Sequence, residues 1–310
     1  MLLRKLLLLI LLVPLLNIAG FYYAISAKPP QVKGQYGLMV DDQMPAFSQV
    51  YPDYARRLLS GDLGRTSNAK ISTVISAPLR FTLILLGVAL ALTVLLGPLL
   101  GLLAVSPTTG RIRPGALLGL TVGSSLPGFF LGSLLITLLI YAARFGLEGG
   151  RGTLIPVQGT GLDARLILPA LTLAARPTLY IASLVAGLLE HELQQDYIRV
   201  ARSKGLNWRA LLWRHALPNM AGTLVTAYGQ SLRVLVSTLI LVEALFDWRG
   251  LGRLLMQTLA ISRNGYPGPT FLQPELMALL VMLLGGLILL ADLVGSAIAY
   301  LADPRLRTSS

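Results

Sequence analysis

Asp196-Tyr-Ile-Arg-Val-Ala-Arg-Ser-Lys-Gly205-Leu-Asn-Trp-Arg-Ala-Leu-Leu-Trp-Arg-His-Ala-Leu-Pro218 is a basic stretch set between two long apolar ones. Its spacing predicts two short helices. Leu193, Tyr197, Val200 and Ala201 recur at helical intervals and give the first an apolar stripe. Gly205 falls where a helix ends on a left-handed residue. Asn207 can cap the second helix, whose face is Trp208, Leu211, Leu212 and His215, and Pro218 is expected to stop it. Two short amphipathic helices on a basic turn form a docking element. A lipid surface suits such helices, and so does a groove on another protein; the residues alone leave both open.

Outward from this turn the chain is a series of apolar runs. Of its residues 54% are hydrophobic and 13% charged, with a mean hydropathy of +0.69. A soluble domain carries about 25% charged residues, so the bilayer is the natural solvent. Six stretches are long enough to span it: Leu6–Ala27, Phe81–Val105, Pro114–Tyr141, Leu166–Leu189, Thr223–Leu245 and Pro274–Leu301. The first follows Arg4-Lys5 and is longer than the apolar core of a signal peptide, so it is expected to stay as an anchor. Arg4-Lys5 place the N-terminus in the cytoplasm, and six spans return the C-terminus there. Segment 142–165 is rich in glycine (Gly146, Gly149, Gly150, Gly152, Gly159, Gly161) and is expected to be a loop or re-entrant turn at the outer surface.

The formal net charge of +12 suits lipid headgroups rather than nucleic acid, because the basic residues mostly flank apolar runs. With no cysteine, thiolate chemistry is excluded. None of the five lysines (Lys5, Lys28, Lys33, Lys70, Lys204) follows a glycine, so the chain has no P-loop. His191-Glu192 does not continue to H-E-x-x-H, and no metal or other cofactor is expected. Arg176, Arg233, Glu243 and Asp292 lie in or near the ends of apolar spans. A charge costs about 2.5–3.5 kcal/mol at a span's centre, so these residues should face a pathway, a partner or one another. Pro177, after Arg176, can kink the fourth span.

The turn also carries a resemblance. Asp196-Tyr197-Ile198-Arg199-Val200-Ala201-Arg202-Ser203-Lys204-Gly205-Leu206, then Arg214-His215-Ala216-Leu217-Pro218-Asn219, resembles the D-Y-V-R-T-A-R-A-K-G-L and R-H-A-L-x-N of binding-protein-dependent ABC permeases of the dipeptide/oligopeptide/nickel branch. Against the broader E-A-A–x3–G–x9–I–x–L-P pattern, Ala201, Gly205, Leu217 and Pro218 match, while Arg199, Val200 and His215 depart. Gly61-Asp62-Leu63-Gly64, Ser124-Ser125-Leu126-Pro127, Ile167-Leu168-Pro169-Ala170 and Asp303-Pro304-Arg305 resemble other stretches of the branch. So do Glu243, Phe246, Trp248 and Gly250-Leu251-Gly252, with Arg249 where the branch has proline. The likeness covers residues 60 to 305.

The resemblance implies an all-α membrane protein, the six-helix transmembrane domain of a type-1 ABC importer with cytoplasmic coupling helices. It divides the chain into an anchor (1–27), an extracytoplasmic segment (28–80), a permease domain (81–305, with its coupling loop at 190–219) and a short tail. It implies a cell-membrane transporter of peptides or related solutes, without catalytic residues of its own. Its partners are separate ABC ATPase subunits, a second homologous permease, an extracytoplasmic solute-binding protein and membrane lipid. The ATPase is expected at Tyr197, Arg199, Ala201, Lys204, Gly205, Trp208, Leu211, Leu212, Leu217 and Pro218. Two other readings compete: an ion-coupled secondary transporter using the intramembrane charges, and a non-transporting scaffold or sensor.

Overall fold

The computed structural model describes residues 2–27, 46–66, 69–145, 155–259 and 273–302. Among them the chain is helical, and its only β structure is two isolated bridges. The helices are α1 (Leu2–Ser26), α2 (Phe47–Leu59), α3 (Ile71–Ala104), α4 (Pro114–Ser125), α5 (Gly128–Arg144), α6 (Ile167–Leu193), α7 (Asp196–Ser203), α8 (Trp208–Leu211), α9 (Leu217–Leu245), α10 (Leu251–Leu259) and α11 (Pro274–Ala302). A 3-10 turn at Ala164–Leu166 leads into α6, and a π turn at Leu212–Ala216 joins α8 to α9.

Five of these segments are long and apolar enough to cross a bilayer: α1, α3, α6 with its 3-10 turn, the run from α8 through α9, and α11. The third expected span, Pro114–Tyr141, is not one helix. It breaks into α4 and α5, which meet at 104°. Pro127 is the cause. It supplies no N–H to continue α4, and it forces the residue before it out of the helical region: Leu126 has ψ 137°. By contrast α6 stays helical through Pro177. α3 begins ten residues before the expected boundary at Phe81. Its 34 residues rise about 51 Å, more than the bilayer's hydrocarbon core, so polar first turns fit beyond the apolar part. Residues 28–45, the glycines from Gly146 to Gly152, and Asp303-Pro304-Arg305 lie outside the described residues.

The chain divides into two compact units. The first is built from Leu83–Trp248 and the end of the chain from Leu290. In it α6 packs against α4, α5 and α9. Ile181, Ala182, Val185, Ala186 and Leu189 alternate by three and one, and give α6 a continuous buried face. Lipid is as apolar as leucine, so close approach of backbones rather than water exclusion drives this packing. Small residues permit it. A Cβ on Gly101 would lie 2.6 Å from the Ala182 carbonyl oxygen, and Gly229 and Gly295 bring α9 and α11 into backbone contact.

The second unit comprises Leu3–Thr82 and Arg249–Leu289. Phe47, Val50, Tyr51, Tyr54 and Leu58 recur at helical spacing along one side of α2 and pack on Phe21, Ile25 and Ala278. Phe21 stacks on Tyr54 with ring centroids 4.9 Å apart and meets Tyr51 edge-on at 5.2 Å. Asn17 is 1% exposed and lies in apolar α1. Its amide donates to the Tyr54 hydroxyl (2.9 Å), and its carbonyl accepts from the Tyr51 hydroxyl (3.3 Å). Arg57, at the end of α2, pairs with Glu275 in the first turn of α11 at 2.5 Å. The carboxylate raises the guanidinium's pKa further above its usual value. Thr82 Oγ1 accepts a hydrogen bond from the first N–H of α10, at Leu251 (2.8 Å).

Candidate functional site

The basic turn folds as two helical pieces. α7 ends at Ser203, Lys204 is its cap, and Gly205 follows at φ +78°. A Cβ there would meet nothing within 4 Å, so the backbone angle, not space, favours glycine. Leu206 N–H then returns to the Ala201 carbonyl (3.3 Å), which closes the end of the helix. The Asn207 side chain accepts from Ala210 N–H at 2.9 Å and starts α8.

Pro218 does not stop the second helix. The chain passes through the π turn at Leu212–Ala216 and continues as α9, with Pro218 in its first turn. In an α-helix the proline ring would press on the carbonyl four residues back, and the wider π turn removes that conflict.

The apolar stripe is also turned from its expected direction. In α7 the buried residues are Ile198 and Ala201, with Leu193 just before them, while Tyr197 and Val200 are exposed. In the second piece Leu211 and Leu212 are buried in the unit's own core and Trp208 packs against it. Leu211 and Leu212 anchor the turn to its own spans, and Trp208 is half-buried beside them. The exposed aromatic is Trp213, with 71% of its surface open. Arg199, Lys204, Arg209, Arg214 and Pro218 are exposed on the same turn. Leu217 is half-buried. Arg199 forms an i,i+3 pair with Asp196 at 3.1 Å, both well exposed and therefore weak.

Polar contacts tie the turn to the ends of α6 and α9. The Tyr197 hydroxyl donates to Glu192 and accepts from Asn219 Nδ2 at 2.9 Å, and the His215 ring lies 6.2 Å from that of Tyr197. Burial, then the carboxylate partner, raises the Tyr197 phenol's pKa, so it remains a donor at neutral pH.

The four intramembrane charges do not form one cluster. Arg233 Nη1 on α9 lies 2.6 Å from Asp292 Oδ1 on α11, one turn from the glycine contact. Arg176 is exposed on α6 and has no hydrogen-bond or ion-pair partner among the described residues. Glu243 is fully buried near the end of α9. There Asp247 takes φ 54°, the left-handed value usual for glycine, and Trp248 N–H returns to the Glu243 carbonyl at 2.9 Å. This is a Schellman end with aspartate in the glycine position. It closes the helix without the proline that Arg249 replaces.

Sequence reading missed Asn17, Tyr51 and Tyr54. The aromatic spacing of residues 47–58 is the signal that finds the two tyrosines.

A sequence profile of the family described as binding-protein-dependent transport system inner membrane component matches residues 112–308. The chain belongs to that family. A di/tripeptide transport system permease protein of Pseudomonas aeruginosa is 28% identical to this permease over 284 residues, covering 84% of this chain and 80% of its own. An oligopeptide transport system permease protein of Bacillus subtilis is 28% identical over 261 residues (83% and 79%). A glutathione transport system permease protein of Pectobacterium atrosepticum is 32% identical over 217 residues (69% and 67%). The protein is thus a multi-pass inner-membrane permease subunit of an ABC importer, not a catalytic subunit.

Proposed function

We propose that this permease moves peptides, as one of two homologous permease subunits served by separate ABC ATPases and an extracytoplasmic binding protein. The relatives' names support the peptide class: di/tripeptide, oligopeptide and glutathione carriers share most of the chain's length. The termini and the α7–α8 turn lie in the cytoplasm, with segment 28–80 outside. This orientation is read from Arg4-Lys5 and the basic turn, with α4 and α5 together counted as one crossing.

The observation that carries the coupling role is the outward face of the turn. Tyr197, Val200 and Trp213 stand exposed among Arg199, Lys204, Arg209 and Arg214, while Leu211 and Leu212 fasten the same turn to α6 and α9. An exposed aromatic on a strongly basic turn suits a cleft with an acidic border on a soluble ATPase. Ala201, Gly205 and Pro218 shape the element, and movement of the turn is passed directly to α9, its helical continuation.

Reconstitution tests both parts. Proteoliposomes holding both permeases and the ATPases, supplied with binding protein, should take up alanine peptides only with internal ATP, and uptake should survive an uncoupler. Uptake that continues without ATP and collapses with the uncoupler overturns the proposal in favour of ion coupling.

A further inference from the structure

The outward side of α9 is polar across the membrane. Asn219, Thr223, Thr226, Gln230, Arg233 and Ser237 follow one another at intervals of three and four, and all but half-buried Thr226 are exposed. From residue 219 to 237 the helix rises about 27 Å, against about 30 Å of hydrocarbon. The threonines and Ser237 can bond to their own helix, as Thr226 does to Gly222 and Ser237 to Arg233. Gln230 and Arg233 require partners beyond it, and hydrocarbon provides none. Tyr180 and Asp292 supply part of that need, and the rest of this exposed polar track suits water or a polar solute better than hydrocarbon.

The stripe is widest at one level. The Tyr180 hydroxyl on α6 donates to Gln230 Oε1 at 3.0 Å, and Asn219 on α9 reaches Glu192 on α6 at 3.4 Å. The two contacts show that α6 and α9 run antiparallel. Arg176, four residues before Tyr180, and Arg233, three after Gln230, thus stand at the same level, about one turn from that bond. Asp292 answers Arg233, and Arg176 has no partner among the described residues. Among the described residues the level holds two guanidinium groups, one carboxylate, a phenol and an amide, and is short of one anion.

We infer that this level is a subsite for the terminal carboxylate of a peptide in transit, with Arg176 as its primary ligand, Gln230 and Tyr180 as flanking polar contacts, and Arg233 as a second cation held back by Asp292. The inference rests on the peptide reading above. A guanidinium matches a carboxylate in shape and charge, and in a confined polar track each such bond is strong.

The test uses the complete transporter in proteoliposomes, with the alanine peptide best taken up and its C-terminal amide as probes. One binding protein serves both probes, so its own preference cancels between wild type and variant. Arg176→Gln is expected to slow uptake of the free-acid peptide about tenfold or more while leaving the amide nearly unchanged. Arg176→Lys should recover part of the loss. Equal slowing of both probes, or of neither, overturns the subsite. So does failure of the second permease to co-purify with Arg176→Gln, which would assign this face to the subunit interface. Wild-type vesicles that accumulate neither peptide overturn the peptide reading itself, and the subsite with it.

Discussion

The Asn17 side-chain amide donates to the Tyr54 hydroxyl across 2.9 Å, with both residues buried. The bond fastens amphipathic α2 to the leucine-rich, apolar α1. Asn17→Leu would leave the phenols of Tyr51 and Tyr54 without their amide partner, and a buried group left unsatisfied costs about 1–3 kcal/mol. The variant should melt several degrees lower in detergent. Tyr54→Phe, which keeps the ring packing, should cost less. An Asn17→Leu protein as stable as wild type would remove the bond from the account.

Burial also raises the Tyr54 phenol's pKa above its ordinary value of 10.0. A raised value in the folded state means that stabilisation is complete below the unfolded pKa and is lost as pH rises through the folded one. Titration of phenolate absorbance in wild type and Tyr54→Phe should assign the difference to a group ionising above pH 10. A difference at or below that value would show that the phenol is not held by the fold.

Gly229 and Gly295 admit no side chain. A Cβ on either would lie 2.8 Å from the other's Cα, and neither backbone can turn aside. Gly295→Ala should separate α9 from α11 and cost about 1–3 kcal/mol, read as a lower melting temperature with membrane insertion retained. Ala at Gly222, where nothing lies within reach of a Cβ, is the control and should be tolerated.

The Arg233–Asp292 pair should behave as a unit. Asp292→Asn or Arg233→Gln alone removes one partner of the pair within a span and should lower folded yield. The exchange Arg233→Asp with Asp292→Arg should restore much of it. A double variant no better than the worse single change would show that the two residues do not depend on each other.

At the basic turn, two neighbouring residues should separate stability from coupling. Leu212→Asp buries a carboxylate in the core and should prevent stable folding. Trp213→Ala removes only exposed surface, so its melting temperature should hold while ATPase co-purification falls. Gly205→Ala must hold alanine at φ +78°, which costs about 1–2 kcal/mol. If Trp213→Ala binds ATPase normally, the outward face is not the coupling surface.

Much of this molecule was legible in its residues. Hydropathy alone located α1, α3, α6, α9 and α11, because a bilayer requires long apolar helices whatever they pack against. The caps at Gly205 and Asn207 were legible too, since a left-handed turn and an N-cap depend on one or two residues and their immediate backbone. The break at Pro127 was missed because a single proline inside an apolar run can kink, break or pass through a helix. Pro177 passes through, and only neighbouring packing separates the cases.

Composition, spacing and local backbone chemistry by themselves determined a membrane protein with a basic turn between two apolar spans and no P-loop, while the permease reading came from the likeness of its motifs to a family. Only the tertiary structure decided which way the turn faces. A helix of two or three turns carries apolar residues on more than one side, and the spans it rests on select the side to bury. That choice turned Ile198, Ala201, Leu211 and Leu212 inward and left Tyr197, Val200 and Trp213 outside. The same kind of choice paired Arg233 with Asp292 and left Arg176 without a partner among the described residues, since α6, α9 and α11 meet through contacts distant in sequence.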